Sequence, residues 1–361
     1  MNKLSSIQGV LIGTAVGDAL GLPLEGLSRR RALIWYPRLE YPALIFRRFG
    51  LCSDDTEHNA LLAQALLYCR GQPDRFQRRL AWGLRLWFSS LPAGVGMATA
   101  RACIKLCCGY PLRWCGVYSA GNGPAMRVAL LGLVFSEQPD QLKAFVRAST
   151  RLTHTDPKAE AAALAIAFAV HWGCSHVELN GRNFLAALQP LLADNDPSEL
   201  PRLLEDMVES IESGESTVDY AQHLCGPSGV SGYAYHSVPV VLHAWLKYGD
   251  DFRAGLTAAL RCGGDTDTIG AMLGALLGSR LGVEQIPLAW RGHLIDWPRS
   301  QSWLMALSEQ VTNSVPGFAL PPVRRFSLWY FALTWPVYLL RNFIFLVIVL
   351  LHAVRRLAPP Y

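Results

Sequence analysis

Ser53-Asp54-Asp55-Thr56 near the start of the chain and Gly263-Gly264-Asp265-Thr266-Asp267-Thr268 far downstream each run straight into an apolar stretch rich in small residues. Asp and Thr are favoured helix N-caps, and Asp54 followed by Glu57 has the spacing of a capping box. A cap needs only one aspartate, whereas each string carries two. Neighbouring carboxylates repel one another unless a cation or a proton offsets the charge. Oxygen donors with no cysteine or histidine pair beside them favour a hard cation, Mg2+ or Mn2+, over zinc. Two acidic helix entrances therefore predict a metal site, provided the fold brings them together.

The elements able to do so are marked by glycine. Gly9, Gly13, Gly17 and Gly21 recur every four residues, as do Gly270, Gly274, Gly278 and Gly282, so each set forms a stripe along one helix face. Glycine inside a helix costs about 1 kcal/mol relative to alanine, so eight of them imply close approach of helix backbones. If the two stripes face each other, Asp18 and Glu25 approach Asp265 and Asp267. Apolar, alanine-rich segments at Asn59–Tyr68, Lys158–Val170 and Ile269–Leu281 read as further helices, while strand-like alternation is scarce. The interval Asp194–Ser216, acidic and carrying Pro197 and Pro201, fits exposed connections around a helix. The pattern predicts an all-α, compact multi-helix bundle.

Five segments together resemble the ADP-ribosylglycohydrolase family, which includes the dinitrogenase-reductase-activating glycohydrolases and the ADP-ribosyl-acceptor hydrolases of animals. They are Gly13–Gly21 with Glu25, the Ser-Asp-Asp-Thr string, Gly121-Asn122-Gly123-Pro124-Ala125-Met126-Arg127, Thr153-His154-Thr155-Asp156-Pro157, and the Gly-Gly-Asp-Thr-Asp-Thr string. The resemblance implies a helical bundle and a centre of two divalent cations, Mg2+ or Mn2+. Its ligands would be Ser53, Asp54 and Asp55 on one side and Asp265, Asp267 and Thr268 on the other. Ser53 stands where the family more often has threonine and keeps the hydroxyl. The implied reaction is hydrolysis of the glycosidic bond between ADP-ribose and its acceptor, an ADP-ribosylated protein or a small ADP-ribosyl compound, with ADP-ribosyl-arginine the first substrate expected. Glu25 matches an acidic residue implicated in catalysis, and either Glu25 or a ligand aspartate such as Asp55 could take the proton from water. Asp18 is expected beside the substrate. A non-catalytic ADP-ribose reader, a blocking protein of the immunity type and a purely structural protein are the competing classes.

The turn Gly121-Asn122-Gly123 can present backbone N–H groups without side-chain obstruction, which suits a pyrophosphate if a helix begins near Ala125. The same residues read equally as an ordinary turn. His154 is expected at the nucleotide or ribose pocket, and Asp156 either orients it or caps the helix entered at Pro157. Tyr233 is expected to stack on adenine or to sit in the core. Arg127 is either a phosphate contact or a structural partner.

Other features bound the function. Nine cysteines without paired Cys-x-x-Cys spacing fit reduced thiols in a cytoplasmic domain rather than a zinc site or a disulfide framework. The clustered glycines lack a strand-to-helix dinucleotide fingerprint, which argues against a dehydrogenase. A net charge of +5, with arginines scattered in groups such as Arg29-Arg30-Arg31 and Arg78-Arg79, points to no specific nucleic acid partner. Domain organisation is read as a catalytic domain over residues 1–320 and a hydrophobic helical tail over 321–361. From Phe326 to Val354 the tail is rich in Leu, Phe, Val, Trp and Tyr, and Arg324-Arg325 and Arg355-Arg356 bracket it. Pro336 and Arg341-Asn342 interrupt it. A tilted membrane anchor, a re-entrant hairpin, a buried C-terminal helix and a partner-binding segment all fit, and loss of the tail is expected to release the protein from membranes without abolishing hydrolysis.

Overall fold

The computed structural model describes residues 2–194, 198–314 and 328–356, with side chains of the last helix described from Thr334 to Val354. Pro197, the expected boundary at residues 320 and 321, Arg324, Arg325 and Phe326 lie outside the described residues, as do the side chains of Trp329, Tyr330, Arg355 and Arg356.

The regular structure is α1 (Lys3–Gly21), α2 (Arg29–Trp35), α3 (Asp54–Cys69), α4 (Pro73–Ser89), α5 (Met97–Cys107), α6 (Ala129–Val134), α7 (Pro139–Thr150), α8 (Pro157–Ser175), α9 (Gly181–Leu192), α10 (Glu199–Glu212), α11 (Thr217–Cys225), α12 (Ala234–Tyr248), α13 (Phe252–Leu260), α14 (Thr266–Leu281), α15 (Leu288–Arg291), α16 (Gln301–Ser314) and α17 (Leu328–Arg356). Among the described residues there is no strand, only isolated bridges between loops. The fold is all-α.

Helices that are apolar all round must be buried, and α1, α8 and α14 are buried along almost their whole length. Outer helices carry the apolar stripe on one face only. In α4 it comprises Phe76, Leu80 and Leu84, and in α10 Leu200, Leu204 and Met207.

The two glycine stripes do face each other, and α1 and α14 run antiparallel. A Cβ built on Gly9 would lie 1.9 Å from the carbonyl oxygen of Gly278, on Gly13 2.1 Å from that of Gly274, and on Gly17 1.9 Å from that of Gly270. Only glycine permits this approach. Gly21 closes the row against Thr266, whose Oγ1 donates to the Gly21 carbonyl (2.9 Å), whereas Gly282 leaves the stripe and caps α14 at φ +85°. The register brings the C-terminal end of α1 to the N-terminal end of α14, where the acidic residues are.

The tail is one helix, α17, unbroken through Pro336 and Arg341, so a hairpin turning at Arg341–Asn342 does not form. Arg341 and Asn342 are buried against the bundle, and Phe345 completes a small cluster with Leu22, Leu44 and Leu51. On the outward side Leu340, Phe343, Leu350, Leu351 and Val354 are exposed. Thr334–Val354 is long and apolar enough to cross a membrane by length and composition, yet its inner face is taken by the bundle.

Candidate active site

Ser53, not Asp54, caps α3: the Ser53 Oγ accepts from the Asp55 N–H (3.2 Å). Glu57 does not complete a capping box, because it faces away to accept from Trp87 Nε1 (2.6 Å) and Arg299 (2.7 Å). Asp54 and Asp55 are therefore not spent on capping. Asp18, expected beside the substrate, lies wholly buried beneath the entrance, where it accepts from the Ser53 N–H and from the Thr56 N–H and hydroxyl. Burial pushes its carboxyl up to about 7 in spite of those donors. Its place in the structure is that of a peg from α1 holding the first turn of α3.

The second acidic string is fixed by loops. Gly264 has φ +85°, and a Cβ there would meet the Val230 carbonyl oxygen at 2.0 Å, so the segment 229–233 runs directly alongside. The Asp265 N–H donates to Val230 O (2.7 Å), and Gly26 N–H to Gly264 O (2.9 Å), which carries Glu25 to the same place. Asn122 Nδ2 donates to Asp265 Oδ2 (2.7 Å) and orients that carboxylate.

The two strings meet across the helix entrances. Ser53 Oγ (3.1 Å) and Thr268 Oγ1 (3.2 Å) both donate to Asp55 Oδ2, one from each string. The other oxygen, Asp55 Oδ1, is buried and has no hydrogen-bond partner among the described residues. Buried polar atoms are nearly always satisfied, so an acceptor left open in such a place fits a cation. Burial and the neighbouring carboxylates hold Asp54, Asp55 and Asp267 well above the usual carboxylate range, with Asp18 the first charged neighbour for Asp54 and Asp55 and Glu25 for Asp267. No three His, Cys, Asp or Glu side chains are gathered in ligating geometry among the described residues. The donor set is instead mixed, carboxylates with the Ser53 and Thr268 hydroxyls, and all-oxygen, as a hard cation prefers.

Above the acids opens a cleft of about 520 Å³. Of the residues singled out in the sequence, Glu25, Asp54, Gly121, Asn122, Gly123, His154, Asp265, Asp267 and Thr268 line it. His154 packs under the glycine turn: a Cβ on Gly121 or Gly123 would come within 3.1 Å of its ring. Burial and the nearby Arg127 push its pKa down to about 3, so the ring is neutral. One expectation changes here. The chain after Pro124 makes only a single 3-10 turn, Ala125–Arg127, so the helix expected to begin near Ala125 does not form there; the helix start beside the turn is that of α5, whose Thr99 Oγ1 would lie 3.4 Å from a Cβ on Gly123. Tyr233 is held by Lys158 (3.2 Å) and Glu199 (3.3 Å), and the cleft wall beside it is formed by Ser231 and Gly232. Arg127 is buried and structural, bonding Ser149 and Thr153. Asp156 caps α8 through the Lys158 N–H (2.9 Å).

Sequence reasoning missed the far wall, Gly94, Gly96, Met97, Ala98 and Thr99. The turn-forming run Pro92-Ala93-Gly94-Val95-Gly96 was the available signal, though one common to any surface loop. A second hollow, about 450 Å³, holds Arg147, Arg151 and Glu160, whose charges already pair with one another. All nine cysteines are unpaired.

A family model described as ADP-ribosylglycohydrolase matches residues 1–317, which leaves α17 beyond the match. The chain is 28% identical to the ADP-ribosyl-[dinitrogen reductase] glycohydrolase of Rhodospirillum rubrum over 79% of its own length and 89% of the relative's. It is 29% identical to the ADP-ribosylhydrolase ARH3 of Gallus gallus over 84% and 92% of the two chains, and 31% identical to an uncharacterized protein of Archaeoglobus fulgidus over 75% and 86%. Among solved structures it is similar to an "ADP-ribosylglycohydrolase-related protein complex", with a TM-score of 0.65, 28% identity, and coverage of 86% of this chain and 98% of that one.

Proposed function

The chain belongs to the ADP-ribosylglycohydrolase family, hydrolases of glycosidic bonds, and from that premise we propose that it is a Mg2+- or Mn2+-dependent enzyme that removes ADP-ribose from arginine side chains of modified proteins. The observation that carries the metal dependence is the buried Asp55, one oxygen bonded from both acidic strings and the other left open beside them. Ser53, Asp54 and Asp55 would hold divalent cations from the α3 side, and Asp265, Asp267 and Thr268 from the α14 side. Bound there, such cations supply Lewis-acid polarisation and lower the pKa of water beside them.

The protein's own residues do the rest. Asn122 orients Asp265 towards the cleft, and Gly121 and Gly123 leave the backbone open to a phosphate or sugar. Neutral His154 supports that turn by packing beneath it. Departure of the acceptor nitrogen builds positive charge at the anomeric carbon, and the carboxylates lining the cleft stabilise it. Glu25 or Asp55 takes the proton from the attacking water. The arginine linkage is supported by likeness to the Rhodospirillum rubrum enzyme, whose name gives dinitrogen reductase as its substrate.

The catalytic unit sits on the cytoplasmic side of a membrane, attached through the outer face of α17. That face is apolar, no acidic residue follows Glu309, and the helix is flanked by Arg324, Arg325, Arg355 and Arg356, which suits an anionic bilayer.

The experiment is incubation of the purified protein with arginine- and serine-linked ADP-ribosyl peptides under Mg2+, Mn2+ or chelator, with free ADP-ribose measured by mass spectrometry. Release from the arginine peptide that chelator abolishes is the expected result. Release from the serine peptide alone overturns the linkage, and release in chelator overturns the metal. Binding of ADP-ribose without release from either peptide makes the protein a reader.

A further inference from the structure

The residue before the Ser53-Asp54-Asp55 string is held from outside by both of its peptide groups. The Cys52 N–H donates to Asp296 Oδ2 (2.8 Å), and the Cys52 carbonyl accepts from Arg341 Nη2 on α17. Arg341 also makes a two-pronged pair with Asp296, Nε to Oδ1 at 3.1 Å and Nη2 to Oδ2 at 2.6 Å, and both side chains are buried. The next residue of α17, whose Oδ1 accepts from Arg341 Nη1 (3.2 Å), reaches a different segment: Asn342 Nδ2 donates to the Ser90 carbonyl (2.7 Å) and hydroxyl (3.0 Å), and Trp335 Nε1 to Ser89 Oγ (3.2 Å). From Ser89 and Ser90 the chain runs into Gly94–Thr99, the far wall of the cleft. A third link passes through Arg299, which bonds Glu57 in the first turn of α3 (2.7 Å) and lies 4.8 Å over the ring of Tyr338 on α17.

A helix serving only as an anchor could dock on apolar residues. Burying a guanidinium is unfavourable unless it is paired and fully hydrogen-bonded, and here every bond of Arg341 and Asn342 to the bundle ends on a segment that leads into the cleft or on Asp296, which itself holds Cys52. We propose that α17 is a positioning element of the catalytic cleft, in which Arg341 and Asn342 tie the 52–55 string to the 89–99 wall and so fix the spacing between the acids and the surface that faces them. The inference rests on the hydrolase reading of that cleft. It makes the tail part of the working site, although it lies beyond the family match.

The test uses the full-length protein in detergent micelles as wild type, Arg341→Ala, Arg341→Lys, Asn342→Ala and, as an outer-face control, Leu350→Ala. Hydrogen–deuterium exchange is followed without metal in peptides covering 52–58 and 89–99, and Mn2+ affinity and the kcat and KM for ADP-ribose release are measured alongside. Arg341→Ala is expected to exchange faster in both segments, to bind Mn2+ about 10- to 100-fold more weakly, and to lose kcat more than KM. Arg341→Lys, which keeps a charge opposite Asp296, recovers part of each, and Leu350→Ala matches wild type. Unchanged exchange in either segment of a folded Arg341→Ala overturns the proposal, as does faster exchange with unchanged Mn2+ affinity and kcat. If Arg341→Ala does not fold, Arg341→Lys and Asn342→Ala decide by the same readouts. A wild type that neither binds Mn2+ nor releases ADP-ribose overturns the hydrolase reading, and the exchange comparison still decides whether α17 braces the two segments.

Discussion

At Asp55 one carboxylate oxygen has two hydroxyl donors and the other has none, while Asp18, Asp54 and Asp265 crowd the same charge. Removing such a group relieves repulsion in the metal-free protein and at the same time deletes a donor to the cation. Asp55→Ala and Asp267→Ala are therefore expected to melt no lower than wild type without metal, yet to lose more activity than the about 10- to 100-fold typical of an outer-shell partner. Thermal unfolding with chelator and product release with Mg2+ or Mn2+ check the two halves, and wild-type turnover by either variant would remove these residues from the metal site. A second expectation concerns His243, far from the cleft, which is buried, bonds Thr217 (2.9 Å) and stacks on Tyr220. Burial, then Lys247, lowers its pKa to about 4 against 6.5 for a free imidazole. The unfolded chain thus binds the proton first as pH falls. His243 contributes stability fully above about pH 6.5 and loses it progressively towards pH 4, by up to about 3 kcal/mol. Between pH 7 and pH 5, Tm of the wild type is expected to drop about 2 to 3 °C more than that of His243→Gln. Equal slopes for the two proteins would count against a neutral buried His243.

Helix pairing is what turns separate residues into a site. The α1–α14 contact is made of glycines facing backbone carbonyls at distances that leave no room for a methyl group. Alanine at Gly13 or Gly274 would gain about 1 kcal/mol in helix propensity but must push two backbones apart, a strain of about 3 kcal/mol or more. Gly13→Ala is expected to lower Tm by several degrees and to weaken Mn2+ binding, since the same contact sets the distance between the acidic strings. Calorimetry and metal titration on one preparation test this, and an unchanged Tm would mean that the helices are not in this register. That each stripe packs on another backbone was legible in the sequence, because a run of glycines every four residues weakens a helix otherwise, but that the two stripes pack on each other was not. The approach of Asp18 and Glu25 to Asp265 and Asp267 was expected only on condition of that pairing, and the meeting of Asp54 and Asp55 with them was implied by the family resemblance. Less could be read where one residue type serves several ends. Asp18 was expected beside the substrate because a buried aspartate holding the first turn of a distant helix has no local signature, and the partners of the Tyr233 hydroxyl, Lys158 and Glu199, are remote in sequence. The far wall at Gly94–Thr99 could not be placed at all, since turn residues announce a turn but not what it faces.

Across the whole molecule, the hydrophobic tail is divided between two surroundings. Arg341, which in the sequence looked like an interruption of a membrane span, is among the residues that join the helix to the bundle, and it leaves the outer stripe uninterrupted by charge from Val337 to Val354. A helix fixed on one side by buried bonds lies along the bundle, and its apolar outer face has the form of an interfacial helix rather than of an isolated span. Removal of the tail after Val323 would uncover Leu22, Leu44 and Leu51 and take away the bonds of Arg341 to Asp296 and to the Cys52 carbonyl. The truncated protein is thus expected to melt lower and to hydrolyse more slowly, not merely to become free of membranes. The outer face can be tested without touching those bonds, by Leu350→Glu with Leu351→Glu. On flotation with vesicles containing anionic lipid, the wild type is expected to rise with the lipid and the double variant to remain below, with Tm and turnover in micelles unchanged. If both proteins stay below while the wild type forms a defined complex with another protein through this face, the stripe is a protein interface and the membrane assignment falls.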